Sequence, residues 1–398
     1  MILDKLDLNR LNTIQKAGLV IGILASLACA GWAVFIDPGQ FFEGYLFAYL
    51  FWLSLTLGSF AIAMLHYLVG GAWGIVIRRV VEAGTKTLWL MALLFIPVIL
   101  GLHYLYSWSN PATVQASELL QHKSPYLNVP FFIIRAVIYF ALWGGFAFIL
   151  TRWSQNPQHF TDNPLRRRFQ RMSSFGIFVY GLSMSFASID WIMSLQPDWV
   201  STIFGMLIVV EQSLTGLCFG IFMTIWLARE GEAPDLTQPR NYRDLGALLL
   251  TTVILTAYMA FSQLIIIWSA NIPKEVTWYL IRTTGGWVWI ELAALVLLFV
   301  LPFIILLSPQ TKRNPWILFW LASSIITASL LEIYWQVIPV FHPAGFTLPI
   351  VNILTPLAIG GFWLAVFVWH LKRTPQVEMP EINVVEGIQA GSQGATGS

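Results

Sequence analysis

The segment SIDWIMSLQP (Ser188–Pro197) and a similar segment, LEIYWQVIP (Leu331–Pro339), decide the fold of this chain. Each lies near the end of a long apolar run and has one carboxylate, Asp190 or Glu332, seven residues before a proline. An ionised Asp at the centre of a membrane helix costs roughly 3 kcal/mol on insertion scales, so such residues usually face a protein interior or a water path. The repetition predicts that the unit carrying this acid occurs twice.

The composition indicates a polytopic membrane protein. Of the 398 residues, 57% are hydrophobic and 11% are charged, whereas about a quarter of the residues in a soluble domain are charged. The net charge of +2 is too small to indicate nucleic-acid binding. The two cysteines, Cys29 and Cys218, both lie in apolar runs. We therefore expect no disulfide framework and no iron–sulfur or zinc site.

Ten apolar windows are long enough to cross a bilayer, which requires about 20 residues each. They lie at 17–36, 44–69, 86–107, 130–151, 173–195, 200–228, 244–268, 283–307, 315–338 and 349–371. The sequence therefore predicts an all-α protein with a ten-helix membrane domain at 17–371. We expect residues 1–16 to form a polar N-terminal segment. Residues 372–398 are expected to form a disordered tail, because their Gly/Ser/Gln-rich composition cannot bury a core.

Lys and Arg residues are distributed unevenly between the two sides of the predicted domain. The N-terminal segment, the loops after helices two, four, six and eight, and the tail contain 18 of them, counted with those at adjoining helix ends. The alternate loops contain three, Lys123, Lys274 and Arg282. Since loops rich in Lys and Arg stay in the cytoplasm, we expect both termini to be cytoplasmic.

Four short matches in the same order indicate an internal duplication. Ser54–Thr56 matches Ser213–Thr215, HYLYSWS at His103 resembles QLIIIWS at Gln263, FFIIR ending at Arg135 resembles WYLIR ending at Arg282, and the two opening segments match each other. The offsets are 159, 160, 147 and 142 residues. The matches predict two parallel-repeat four-helix bundles, formed by helices 2–5 and 6–9, related by an axis along the membrane normal. Repeat one spans 44–195, repeat two spans 200–338, and helices 1 and 10 flank them.

In repeat one, His103, Arg135 and Asp190 come from three consecutive helices and are predicted to lie at similar depth, away from the basic loops. They are candidates for a quinone site. Oxidation of a quinol needs an acceptor for a hydroxyl proton and a carboxylate to carry it onward, and Arg135 would keep Asp190 ionised or fix a polar head group. The alternative is a structural ion pair between Arg135 and Asp190, with His103 as a packing residue.

In repeat two, Glu291 and Glu332 are predicted to share a level, and Glu211 lies deeper, about eleven residues into helix six. These three acids, together with Asp190 and Tyr258, are candidates for a proton path. The half of the domain nearer the basic loops has no matching acid, so ordered water would have to complete the path. The alternative is that the acids only form hydrogen bonds between helices.

Other motifs exclude several classes of protein. A haem-carrying cytochrome b needs histidines paired across helices at one depth, but His103 and His66 lie near opposite ends of their helices. The sequence contains no Walker motif, HExxH or CxxC. We therefore expect no metal site, no covalently bound cofactor and no redox centre in this chain.

The sequence resembles the NrfD/polysulfide-reductase family of membrane subunits, and most closely the ten-helix members found in bacterial alternative complex III, a quinol:electron-acceptor oxidoreductase. The likeness covers about residues 10–372. It rests on YLFAYLFWLSLTLGS (Tyr45–Ser59), MLHYLVGGAWG (Met64–Gly74), SIDWIMSLQPDW (Ser188–Trp199) and LEIYWQVIP. That complex has two such subunits, and both the length of this chain and its LHYLVGGAWG stretch favour the shorter one.

The resemblance implies two four-helix bundles with flanking helices in the plasma membrane of a bacterium. It implies a partner assembly of iron–sulfur and haem-c subunits with a longer NrfD-like paralogue, in contact with lipids and the quinol (menaquinone) pool. It also implies quinol oxidation near the outer face and a proton route through the membrane. Whether this subunit itself takes part in catalysis stays open.

Two further functions remain as alternatives. One is a structural subunit without chemistry. The other is a proton-coupled transporter of a small solute, which parallel repeats would allow, although Gly- or Pro-broken helices in paired positions are not evident in the sequence.

Overall fold

The computed structural model describes residues 8–156, 158–228 and 239–374, and these residues form helices and turns without a β-strand. Ten helices in this part of the chain are long and apolar enough to span a membrane. They are α1 (Leu8–Phe35), α2 (Pro38–Val69), α3 (Ala72–Leu100), α4 (Val129–Trp153), α5 (Asn163–Leu195), α6 (Phe204–Ala228), α7 (Pro239–Ala270), α8 (Trp287–Leu307), α9 (Pro315–Val340) and α10 (Val351–Arg373). The prediction of an all-α, multi-pass protein is confirmed.

The predicted helix boundaries agree with most spans, but three helices begin well before the predicted residue. Helix α1 begins at Leu8 rather than near residue 17, α3 at Ala72 rather than near residue 86, and α5 at Asn163 rather than near residue 173. The cause in α3 is a tight turn: Gly70 and Gly71 have φ values of 75° and 101°, which only glycine adopts readily, and the chain passes directly from α2 into α3. Residues 1–7 and 375–398 lie outside the described residues, so disorder of the tail stays a prediction.

Short polar side chains start several of the spans. The Asp37 carboxylate accepts hydrogen bonds from the backbone N–H groups of Gly39 (2.8 Å) and Gln40 (3.3 Å), and Pro38 occupies the first position of α2. Asn128 and Asn314 cap α4 and α9 in the same way. These caps satisfy N–H groups that have no partner inside the helix.

The helices pack as the duplication predicts. In repeat one, α2 packs on α3 and α5, and α4 lies between α3 and α5; in repeat two, α6 packs on α7 and α9, and α8 lies between α7 and α9. Each helix of repeat one therefore has the same neighbours within its repeat as the matching helix of repeat two. The helix contacts agree with the predicted pair of four-helix bundles, and α1 lies outside them against α10.

The two repeats meet where α2 crosses α6. A Cβ atom on Gly58 would lie 1.8 Å from the backbone oxygen of Gln212, so the backbones touch and no larger residue fits there. The most apolar window of α2 is 94% buried, whereas that of α8 is 17% buried. Helix α2 is thus the centre of the molecule, and α8 lies at its periphery.

Both described ends of the chain lie at the same end of the bundle. The Lys372 ammonium at the end of α10 donates to the side chains of Asn12 (2.7 Å) and Gln15 (2.5 Å) near the start of α1. We call this the basic end, since the loops rich in Lys and Arg lie there, and the other the opposite end. That the basic end faces the cytoplasm stays a prediction.

Repeat two contains two irregularities that affect its interior. A separate short helix, Pro273–Thr283, precedes α8, and the chain then turns through Gly285 and Gly286, which have φ values of 59° and 95°. Within α8, residues Val296–Val300 form one π-helical turn. Such turns inside α-helices are frequent at functional sites.

Candidate functional site

Three carboxyl groups of repeat two lie together inside the bundle: Glu211 of α6, Glu291 of α8 and Glu332 of α9. The side-chain amide of Gln336 donates hydrogen bonds to Glu211 Oε2 (3.1 Å) and Glu332 Oε1 (3.2 Å). The Glu291 side chain lies near Glu332, close enough for the two carboxyl groups to interact electrostatically. We call these four residues the acid cluster. The structure thus brings together the three acids of repeat two that the sequence nominated.

Helical spacing and the contact between α6 and α9 explain this arrangement. Glu332 and Gln336 are four residues apart and therefore lie on one face of α9. One turn nearer the basic end, the Thr215 hydroxyl lies 3.0 Å from the Ser329 hydroxyl, which joins the same two helices. Thr215 also donates to the backbone oxygen of Glu211 (2.8 Å), which fixes its own rotamer.

A small cavity adjoins the acid cluster. Its polar lining consists of two acids and three hydroxyl groups, which belong to Glu211, Glu332, Thr215, Thr256 and Ser329. Its apolar lining consists of one residue each from α6, α8 and α9, which are Leu214, Leu298 and Ile333. The space open to the centre of a water molecule is about 10 Å³, which is close to the room that one water needs. Leu298 belongs to the π-helical turn of α8, so this irregularity forms part of the cavity wall.

The proximity of Glu291 and Glu332 has a chemical consequence. Two adjacent carboxylates in a buried place repel each other strongly when both are ionised. Buried carboxyl groups this close together can share a proton.

Arg282 is buried close to the cluster but does not pair with it. Its guanidinium donates to the backbone oxygens of Trp335 (3.2 Å), Gln336 (2.6 Å) and Trp278 (3.0 Å), and it lies 3.2 Å from the centre of the Trp278 ring. The first two oxygens belong to the last turn of the α-helical part of α9, where the helix dipole attracts a cation. Arg282 therefore anchors the backbone of Gln336, the residue that bridges the acids.

A second polar group, Tyr279, lies between the cluster and the opposite end. Burial raises the pKa of Tyr279 to about 12, and the charges of Glu291 and Glu332 add to this effect, while its hydrogen bond with Gln263 and the charge of Arg282 lower it. For Arg282 itself, burial lowers the pKa of the guanidinium, and Tyr279 and Glu332 oppose this shift.

Beyond Tyr279, a chain of polar groups continues to the end of the bundle. The buried Gln263 amide lies 3.5 Å from the Tyr279 hydroxyl, and its oxygen accepts a hydrogen bond from Ser201 (3.1 Å). Gln263 occupies the position that His103 has in repeat one. The sequence did not single out Tyr279, because a tyrosine in a short segment between spans looks like an interfacial residue.

In repeat one, both carboxylate oxygens of Asp190 accept hydrogen bonds from neighbouring side chains. The Arg135 guanidinium donates to both of its oxygens, Nε to Oδ2 and Nη2 to Oδ1, each at 2.8 Å. The Tyr139 hydroxyl donates to Oδ2 at 2.8 Å, and Arg135 Nη1 donates to the backbone oxygen of Tyr126. The Asp190 side chain is 0% exposed. This geometry matches the structural ion pair that the sequence left as an alternative.

Two other candidates lie apart from these groups. His103 is in a short helix, Leu102–Leu105, after the end of α3 rather than inside that span, and its exposed ring packs against Tyr104. Tyr258 is 63% exposed on the outer face of α7. The structure therefore forms two separate groups, Arg135 with Asp190 in repeat one and the three acids in repeat two. It leaves His103 and Tyr258 at the surface.

The half nearer the basic end contains a buried acid that the predicted helix boundaries had placed in a loop. Glu82 of α3 is 2% exposed and accepts hydrogen bonds from Tyr67 (2.7 Å), Arg78 (2.7 Å) and Ser154 (2.8 Å). Arg78 also donates to the backbone oxygen of Ser154. The sequence around Arg78 and Glu82 looked like a polar loop. Their spacing of four residues was the available signal, because it allows the two charges to pair on one helix face.

No family model matches this sequence, and no significant match occurs among curated proteins. Within residues 8–156, 158–228 and 239–374, no group of three or more His, Cys, Asp or Glu side chains is arranged to hold a metal ion.

Proposed function

We propose that this chain is the shorter NrfD-like membrane subunit, the ActF type, of an alternative complex III, and that its second repeat carries protons. The acid cluster is the observation that supports the proton role: the Gln336 amide joins the carboxyl groups of Glu211 and Glu332, a third carboxyl group (Glu291) lies near Glu332, and a cavity with room for about one water adjoins them. The sequence motifs and the duplicated ten-helix architecture support membership of a quinol:electron-acceptor oxidoreductase.

The chemistry of the cluster suits proton transfer better than charge pairing. Arg282, the neighbouring cation, donates to backbone oxygens instead of to Glu332. The carboxyl groups therefore exchange a proton with each other or with a water molecule in the cavity. Gln336 keeps Glu211 and Glu332 in position by holding one oxygen of each.

The proposed path has two ends. Towards the opposite end, Tyr279 and Gln263 continue the polar chain from the carboxyl groups. Towards the basic end, the hydroxyls of Thr215 and Ser329 come first, and water molecules would carry the proton beyond them. Protons would enter at the basic end and leave on the side where quinol is oxidised.

The proposal assigns the redox centres to the partners, which are the iron–sulfur and haem-c subunits and the longer paralogue. Quinol, of the menaquinone type in the resemblance, would be oxidised near the opposite end. If this chain contributes a quinone-facing surface, the exposed ring of His103 is its candidate, since Asp190 is buried and both of its oxygens already accept hydrogen bonds.

The test uses the intact assembly purified through this chain and reconstituted into vesicles. Glu211→Gln and Glu332→Gln keep the size of each side chain but remove the exchangeable acid. We expect proton transfer coupled to quinol oxidation to fall by roughly 10²-fold in each variant, the usual contribution of a positioned acid or base. Glu43→Gln is the control, because Glu43 lies in α2 and contacts His342 (3.0 Å) outside the cluster.

Each part of the proposal can fail separately. Recovery of the chain without haem-c and iron–sulfur subunits would contradict its place in the complex and would favour a transporter. Normal proton transfer in both variants of an assembled complex would contradict the proton role. It would leave the structural subunit as the function, which the closed Arg135–Asp190 pair of repeat one already favours for that half of the chain.

A further inference from the structure

A recess lined by arginines lies at the basic end of repeat two. Its lining consists of Pro239, Arg240 and Arg243 from the first turns of α7 and Arg313 from the turn between α8 and α9. Its volume is about 450 Å³, which is within the range of small-ligand sites. It lies far along α7 from the acid cluster, and nothing in the proposed function uses it.

Local structure explains why these arginines converge. Arg240 and Arg243 are three residues apart at the start of α7 and therefore lie on the same face of that helix. Arg313 ends a short 3₁₀ turn, Thr311–Arg313, which packs against α7. Gly246 permits this contact, since a Cβ atom there would lie 2.9 Å from Lys312 Cβ.

The turn that carries Arg313 is held in place at both ends. The Thr311 hydroxyl donates to the backbone oxygen of Ser308 (2.8 Å), and the Asn314 side chain caps α9 by accepting from the backbone N–H of Trp316 (2.9 Å). Arg313 therefore projects from a fixed backbone rather than from a long loop.

The charges of the recess favour an anion. Its three guanidinium groups are accompanied by Asp244, which accepts from Arg243 at 3.2 Å in an exposed pair that is worth little energetically. The N-terminal end of α7 adds a partial positive charge. A guanidinium binds phosphate oxygens through two parallel N–H donors, so an arginine cluster is well suited to phosphate.

The surroundings of the recess indicate which class of phosphate compound it suits. The recess lies at the ends of α7, α8 and α9, where the headgroups of a bilayer would be. Trp316 and Trp320 are 44% and 66% exposed at the start of α9, as expected of tryptophans in an interfacial belt. Ile304 and Leu307, at the end of α8, are 62% and 56% exposed and offer an apolar surface for acyl chains.

We propose that Arg240, Arg243 and Arg313 bind the phosphate of an anionic phospholipid at the basic end of repeat two. Basic recesses between membrane helices on the cytoplasmic side are suited to such headgroups. The bound lipid would join α7 to the α8–α9 turn and so tie together three helices of the proton-carrying repeat.

The test compares two triple variants of the full chain in detergent, each losing three positive charges at the basic end. Arg240→Gln/Arg243→Gln/Arg313→Gln removes the recess, and Arg166→Gln/Arg167→Gln/Arg171→Gln removes three exposed arginines near the start of α5. Native mass spectrometry measures the binding of diphosphatidylglycerol, phosphatidylglycerol, phosphatidylcholine and inorganic phosphate to each. Circular dichroism checks that both variants keep their helix content.

We expect the recess variant to bind both anionic lipids at least tenfold more weakly than the unmodified chain, and the control variant to bind them normally. Phosphatidylcholine and inorganic phosphate should bind weakly to all three proteins. Arg240→Lys/Arg243→Lys/Arg313→Lys keeps the charge but loses the paired donors. Its affinity for the anionic lipids should lie between those of the recess variant and the unmodified chain.

Equal weakening in the recess and control variants would overturn the proposal, because it would indicate general attraction to a basic surface. Inorganic phosphate that binds as tightly as the lipids, and displaces them, would overturn the lipid assignment in favour of a soluble anion.

Discussion

In repeat one, the acid near the end of α5, Asp190, is held by Arg135 and Tyr139, whereas in repeat two the matching acid of α9, Glu332, accepts a hydrogen bond from Gln336 and lies near Glu291. Arg282, which matches Arg135 in the duplication, donates to the backbone oxygens of Trp335 and Gln336 instead. The same helical scaffold therefore holds a closed ion pair in one copy and protonatable acids in the other.

The break before α8 accounts for part of this difference. Arg135 lies within the continuous helix α4, while Arg282 lies in a separate short helix that ends before Gly285 and Gly286. The two arginines thus approach their neighbouring helix from different backbones. Arg282 reaches the end of α9 and its carbonyl groups, and Glu332 has no cation as a direct partner among the described residues.

The residue four positions after each acid accounts for the rest of the difference between the Asp190 and Glu332 sites. In repeat one this is Ser194, whose hydroxyl donates to the backbone oxygen of Asp190 (2.5 Å). In repeat two it is Gln336, whose longer side chain reaches both Glu332 and Glu211. A duplicated scaffold thus allows one copy to provide stability while the other tolerates acids that have no cation as a direct partner in the described part of the chain.

Breaking the ion pair of repeat one should have the largest effect on stability. Asp190→Ala leaves the buried Arg135 without its partner, and such a loss typically costs about 3–5 kcal/mol. The free energy of unfolding of the purified chain measures this. Asp190→Leu/Arg135→Met replaces the pair by apolar side chains and should recover most of the loss. A single variant as stable as the original chain would contradict a structural role for the pair.

Separating the two repeats should have the next largest effect. Gly58→Ala inserts a methyl group at the crossing of α2 and α6, where the added Cβ would lie 1.8 Å from the backbone oxygen of Gln212. Overpacking of this kind costs about 1–3 kcal/mol. Gly144→Ala in α4 is the control, since no atom lies within 4 Å of its added Cβ. If the two variants unfold alike, the crossing is not the rigid centre inferred above.

Converting repeat two towards repeat one at a single position should have the smallest effect on stability. Gln336→Ser gives α9 the residue that follows Asp190 in α5 and removes the bridge between Glu211 and Glu332. We expect a loss of about 1 kcal/mol, the net value of an ordinary hydrogen bond. The carboxyl C=O band in the infrared spectrum should shift, because both acids lose a donor. Gln263→Ser, which removes a buried amide outside the acid cluster, should leave that band unchanged.

Much of the fold could be predicted because membrane helices are marked by their own composition. The ten apolar windows, the direction of each crossing and the duplication all come from residues close together in the chain or from repeated motifs. The acids of repeat two could also be nominated, since Glu211, Glu291 and Glu332 stand out in apolar runs. Their grouping followed from the predicted pairing of helices.

The errors arose where polar residues inside the protein resemble a loop. Arg78 and Glu82 neutralise each other and are buried, so α3 begins earlier than its hydropathy indicates. His103 was assigned to a span that in fact ends at Leu100. In both places a local average of hydropathy cannot detect which partner a charged side chain will find.

The sequence by itself determined that this chain is a ten-helix membrane protein with two related bundles and acids in its interior. Only the tertiary structure decided which acid is paired with a cation and which acids lie near one another around a shared amide. The physical reason is that pairing depends on distances of about 3 Å between side chains of different helices. Such distances depend on where a helix breaks and how closely two backbones approach, as at Gly285–Gly286 and at Gly58.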